Sequence, residues 1–186
     1  MDSVIINKRA LELILLQCGY KYGLLAADEH INSFSSDEYI GIRELLLKDN
    51  FCELDFDGKV HINSQIFSRY IYCIMRSSAM MTVKTDSTMV TFFRSPVDVT
   101  VLEYESDNIM ISSRSFIEFT NLINTIIKSK QGSFSAVIFG DNEPLTYSSY
   151  ISETDEKELT NIVSCFLSSD LKAYLKQLFK VKKTDE

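Results

Sequence analysis

Met80-Met81-Thr82-Val83-Lys84-Thr85, Met89-Val90-Thr91-Phe92-Phe93-Arg94, Val97 to Tyr104 and Ile109 to Ser112 follow one another in the middle of the chain. Their reading decides the fold. Apolar and polar residues alternate, and Val, Ile, Thr, Phe and Tyr dominate, as half-buried strands require. Asp86-Ser87, Ser95-Pro96 and Ser106-Asp107-Asn108 separate the four runs. Connections this short cannot carry a crossover, so the strands form an antiparallel meander.

Working upstream, Asn63 or Ser64 caps a helix bearing Ile66, Phe67, Tyr70, Ile71, Ile74 and Met75. Before it, Phe51 to Phe56 and Lys59 to Ile62 flank Asp57-Gly58, a dipeptide that supplies the positive φ angles of a tight hairpin turn. Ser35 and Glu38 form a Ser-x-x-Glu capping box for a helix reaching about Lys48. Asn7 caps a first helix through Ala10, Leu11, Ile14, Leu15 and Cys18, with Gly19 ending it. Downstream, Ser115 and Glu118 make a second capping box, for a helix that stops near Gly132. Ser133 to Phe139 and Leu145 to Ile151 pair around residues 140–144. Ser152, with Asp155 three residues on, opens a helix that Ser169-Asp170 recaps into a last one, and the polar tail 180–186 is expected to fray.

Helix, helix, hairpin, helix, four strands, helix, two strands and two helices is an α+β order, since βαβ alternation is absent. A central antiparallel meander flanked by helices is expected. Helix 36–48 followed by the 51–62 hairpin is the order in which a winged helix places its recognition helix and wing. No linker rich in Gly, Pro or Ser divides the chain, so residues 1–186 read as a single domain.

The 186 residues are 45% apolar with only two prolines, Pro96 and Pro144. That excludes long disorder. The net charge of −7 repels a phosphate backbone on average, and Asp37, Glu38, Glu44 and Asp49 outnumber Arg43 and Lys48 where a recognition helix would need cations. Nucleic acid is not the expected partner. No run approaches the ~18 uncharged apolar residues of a membrane span. An acid at position 2, and Glu12 inside the first apolar run, do not suit a signal peptide, so a cytoplasmic location is expected. Cys18, Cys52, Cys73 and Cys165 stand far apart among apolar neighbours and read as free, buried thiols.

Residues for catalysis are scarce. His61 sits in the hairpin's second arm, and His30, in Asp28-Glu29-His30, has no second His or Cys at ligand spacing on its own element. No nucleophile elbow, phosphate loop or dinucleotide fingerprint is present. Asp55-Phe56-Asp57-Gly58 starts like a calcium loop but lacks the later oxygen ligands. The expectation is a protein that is not an enzyme and holds no metal or cofactor.

The run Ala10-Leu11-Glu12-Leu13-Ile14-Leu15-Leu16 leads into Lys21-Tyr22-Gly23-Leu24-Leu25. Ile42-Arg43-Glu44-Leu45-Leu46-Leu47, the 51–62 hairpin, a helix and the long meander follow. This succession resembles the EspG-like cytosolic chaperones of bacterial type VII secretion, including their relatives in low-GC Gram-positive bacteria. The resemblance implies a central antiparallel sheet with flanking helices and no enzymatic activity. It also implies a partner, a helical-hairpin secretion substrate kept soluble before export. It carries no family binding motif onto particular positions of this chain.

A chaperone of that kind must leave apolar area uncovered for its client. Phe92 and Phe93 point to opposite faces of one strand, so at least one of them is expected to be exposed if the meander docks the client. Tyr104, Tyr147 and Tyr150 add amphipathic contact area. Helices of the same chain covering both faces is the competing reading. Two other roles suit an acidic domain without catalytic residues: an immunity protein that neutralises a toxin, and an adaptor working as a homodimer.

Overall fold

The structure, a computed structural model, describes residues 3–20, 22–24, 31, 33–139 and 145–184, with side chains as far as residue 179. The His30 cluster, Leu25 and the connection 140–144 lie outside the described residues.

The meander forms as expected. β4 (Ala79–Lys84), β5 (Met89–Arg94), β6 (Val99–Glu105) and β7 (Asn108–Arg114) pair antiparallel in sequence order, with Met81 opposite Phe92 and Phe92 opposite Val101. Three further strands widen it. β8 (Ser133–Ile138) and β9 (Leu145–Tyr150) join beside β4 as an antiparallel hairpin, and β1 (Ser3–Asn7) closes the other edge against β7. The sheet therefore has seven strands in the order β1-β7-β6-β5-β4-β8-β9. β1 is too short to stand out by periodicity: Val4 and Ile6 face one core while Ile5, between them, faces solvent.

Period-two alternation splits the apolar residues between two cores. Met80, Phe93, Leu102, Ile109 and Ile111 face the N-terminal layer, built from α1 (Lys8–Gln17), α2 (Ser36–Lys48) and the helical segment 64–76. Met81, Phe92, Val101, Phe134 and Tyr147 face the C-terminal layer of α5 (Phe116–Ser129), α6 (Glu156–Ser168) and α7 (Leu171–Thr184). The result is α+β with helices on both faces of one antiparallel sheet.

Caps fix the helix starts. The Asn7 side chain accepts from the Arg9 and Ala10 amides, and Ser115 with Glu118 closes a reciprocal capping box on α5. At α2 only half the expected box forms: Ser35 accepts from the Glu38 amide, but the Glu38 carboxylate turns to Arg9 instead. Asp155, not Ser152, caps α6. α5 ends on Lys130 in the left-handed region, two residues before Gly132. At the C-terminus α7 stays helical to Thr184, through most of the tail expected to fray.

Two further differences have clear causes. The 52–62 hairpin, β2 (Cys52–Leu54) with β3 (Val60–Ile62), pairs as a separate two-stranded sheet with a loop of residues 55–59. Within that loop only Gly58 takes a positive φ (75°), while Asp55 accepts from the Gly58 amide and donates to Lys59 O, so a type I turn followed by one left-handed residue replaces the tight Asp-Gly turn. Second, α3 (Ser64–Ile66) runs through a π turn (Phe67–Ile71) into α4 (Tyr72–Arg76). The apolar pairs 66/67, 70/71 and 74/75 repeat every four residues, which drifts round an α-helix; the wider π turn keeps Tyr70, Ile71 and Ile74 buried.

Candidate functional site

The phenylalanines expected to offer a docking face are both 0% exposed. Phe92 meets Phe119 of α5 edge to face at 5.0 Å between ring centres, and Phe119 in turn meets Phe166 of α6. Phe93 lies in the opposite core with Met80, Ile71 and Ile74. The expectation that one of them is exposed is therefore corrected. Each sheet face is filled by helices of this same chain, because the helices that precede and follow the meander pack on opposite sides of it.

The tyrosines separate by position. Tyr147 is buried, its hydroxyl donates to Glu158 Oε1 at 2.7 Å, and burial pushes its pKa up to about 12, with the neighbouring Glu158 carboxylate adding to the rise. Tyr104 is half-buried and donates to Leu24 O at 2.9 Å, tying β6 to the segment after α1. Only Tyr150, on the edge strand β9, is open to solvent, at 63%. The structure does not gather these five residues into one surface.

Apolar area is left open elsewhere, on the N-terminal layer. Of the apolar residues of α2 only Leu46 is buried, whereas Tyr39, Ile40 (55% exposed) and Leu45 reach solvent, as does Leu16 of α1. Leu54 and Phe56 of the hairpin add to the exposed set.

A polar clamp works beside the Ile42, Leu46 and Leu47 contacts in holding α2. Arg9 Nε donates to Glu38 Oε1 at 2.8 Å, its Nη1 to Glu12 Oε2 at 2.7 Å and its Nη2 to Ser33 O at 3.1 Å, while the guanidinium lies over the Phe34 ring at 3.9 Å. Gln17 adds a bond to the Tyr39 hydroxyl at 3.0 Å. The Arg9 hydrogen bond holds the Glu38 carboxyl below the usual range. The sequence pattern marks α2 as a helix but neither its exposed apolar residues nor Arg9, because the apolar residues of α2 read in sequence as an ordinary core stripe.

Among the described residues no group of three or more His, Cys, Asp and Glu is placed to hold a metal. His61 Nε2 lies 2.8 Å from Asp55 Oδ2 at the hairpin, and Asp55 also accepts from the Asp57 and Lys59 amides. These bonds lower its pKa, the His61 contact most of all, and the calcium-like residues serve as a turn clamp. Burial raises the thiols of Cys18, Cys52, Cys73 and Cys165, so none is activated as a nucleophile. No helix among the described residues is long and apolar enough to cross a membrane. Neither a family model nor a curated protein matches this chain.

Proposed function

We propose that this chain is a non-enzymatic, cytoplasmic, protein-binding chaperone whose client is a helical segment of a type VII secretion substrate. One observation carries the reading: α2 packs Ile42, Leu46 and Leu47 on the core and leaves Tyr39, Ile40 and Leu45 in solvent. Apolar area kept open on a helix is the surface an amphipathic client helix covers. The docking face moves accordingly from the meander to the N-terminal layer. Partner choice rests on the order of elements shared with EspG-like chaperones.

The test is affinity capture from the native cytoplasm with the wild-type chain, Ile40→Asp and Tyr150→Asp. Ile40→Asp replaces an exposed side chain, so it leaves the fold intact, but it puts a charge where a partner would desolvate it. Recovery of a helical secretion substrate that is lost with Ile40→Asp and kept with Tyr150→Asp supports the proposal. Recovery of a toxin domain instead makes the chain an immunity protein. Capture unaffected by Ile40→Asp rules out α2 as the docking face.

A further inference from the structure

A cleft of ≈ 550 Å³ opens at one end of the central strands, between the two helical layers. Its wall brings together Arg76 from the end of α4, Arg94 from the end of β5 and Lys172 from the first turn of α7. Among the described residues no Asp or Glu lines it. Among the described residues none of the three cations enters an ion pair. In a chain of net charge −7, three cations line one cleft with no carboxylate among the described lining residues. Like charges gathered on one wall repel, and a bound anion relieves that repulsion.

Arg94 is held in place, while Arg76 and Lys172 reach solvent beside it. Arg94 Nε donates to Leu167 O at 2.5 Å, capping the C-terminal end of α6, and its guanidinium lies 5.7 Å from the Phe116 ring. Arg76 sits over Tyr72 at 5.4 Å, and Tyr72 also lines the cleft. Arg94 Nε is taken by Leu167 O, which leaves its Nη groups and the Arg76 guanidinium for an acceptor. Lys172 stands in the first turn of a 14-residue helix, whose N-terminal dipole has the same sign. Of the nearby hydroxyls, Ser77 donates to the Ala79 and Arg94 carbonyls and Ser95 to Asp98, so these serve the frame. The remaining lining is mixed, with Ser78 and Ser169 beside Pro96 and Phe139.

We propose that this cleft binds a small organic phosphate, its dianionic head held by Arg76, Arg94 and Lys172 and its apolar body lying against Tyr72 and Phe139. Three cations match the charge of a phosphate monoester better than that of a lone carboxylate, and the volume falls in the range of small-molecule sites. The proposal is independent of the protein-binding role of α2.

Phenyl phosphate is the probe, with inorganic phosphate and benzoate beside it, in calorimetry and thermal melting of the full chain. The expected order is phenyl phosphate tightest, with inorganic phosphate weaker by about tenfold because it buries no ring. Arg76→Gln and Lys172→Gln each weaken phenyl phosphate by about tenfold, the loss of one charge-assisted contact, while unliganded melting is unchanged. Lys59→Gln, on the distant hairpin, leaves binding as in the wild type. Absence of phenyl phosphate binding, equal binding by benzoate, or affinity that survives the Arg76→Gln/Lys172→Gln pair overturns the proposal.

Discussion

Phe92 and Phe93 are consecutive in β5 and both wholly buried, yet they belong to two cores on opposite sides of the sheet. Pleating sends one ring into α5 and α6 and the other into the segment 64–76, so one peptide unit joins the two halves of the hydrophobic interior. Such an arrangement makes the strand a spine rather than a surface.

It follows that Phe92→Leu and Phe93→Leu each lower stability by about 1 to 3 kcal/mol, and that the two losses add. Residues with no shared partners couple by less than about 0.5 kcal/mol. Urea denaturation of the single and double variants measures this, and coupling well above that limit contradicts the two-core arrangement.

Two glycines separate conformational strain from steric exclusion. Gly58 and Gly132 both hold positive φ, 75° and 90°, but a Cβ at Gly58 meets nothing within 4 Å, whereas at Gly132 it lies 2.1 Å from Lys84 O. Gly58→Ala therefore costs about 1 kcal/mol and Gly132→Ala about 3 kcal/mol or more, because the backbone of β4 must shift. Thermal melting of the two variants reads the order, which reverses only if the β4 contact is absent.

The Arg9 clamp makes the attachment of α2 depend on acid. Glu38 has its pKa lowered in the folded chain, chiefly by the Arg9 hydrogen bond. Its stabilisation is thus complete above the ordinary carboxylate range and fades as pH falls through the lowered value. Amide hydrogen exchange should show protection across α2 dropping at acid pH in the wild type. In Arg9→Met the same amides should exchange faster already at neutral pH and respond less to acid.

At the other extreme of pH, Tyr147 stays protonated to about 12 because its ring is buried, with the Glu158 carboxylate beside it. A raised folded pKa contributes stability below the unfolded tyrosine value of about 10, and that contribution is lost as pH rises through the folded value. Between pH ~10 and ~12 the wild type should therefore lose stability more steeply than Tyr147→Phe, as followed by denaturant melts. Equal slopes would place the Tyr147 hydroxyl in solvent.

Local sequence alone determined much of the fold. Period-two alternation over residues 80–112 is a direct imprint of the pleat, and Asn7, Ser35 and Ser115 mark helix starts because a cap bond spans only two or three residues. What required the tertiary structure was everything that depends on distant partners. β1 becomes a strand only by pairing with β7, a hundred residues on, and β8 and β9 join the meander only because β4 leaves them an edge. Alternation told that Phe92 and Phe93 point opposite ways but not that both are covered, since covering depends on where helices before and after the sheet pack. The apolar residues of α2 read identically whether they face a core or solvent; only the packed structure shows that Ile42, Leu46 and Leu47 face in while Tyr39, Ile40 and Leu45 face out. Likewise Arg76, Arg94 and Lys172 are unremarkable surface cations along the chain, and only the meeting of two helical layers at the strand ends sets them on one wall.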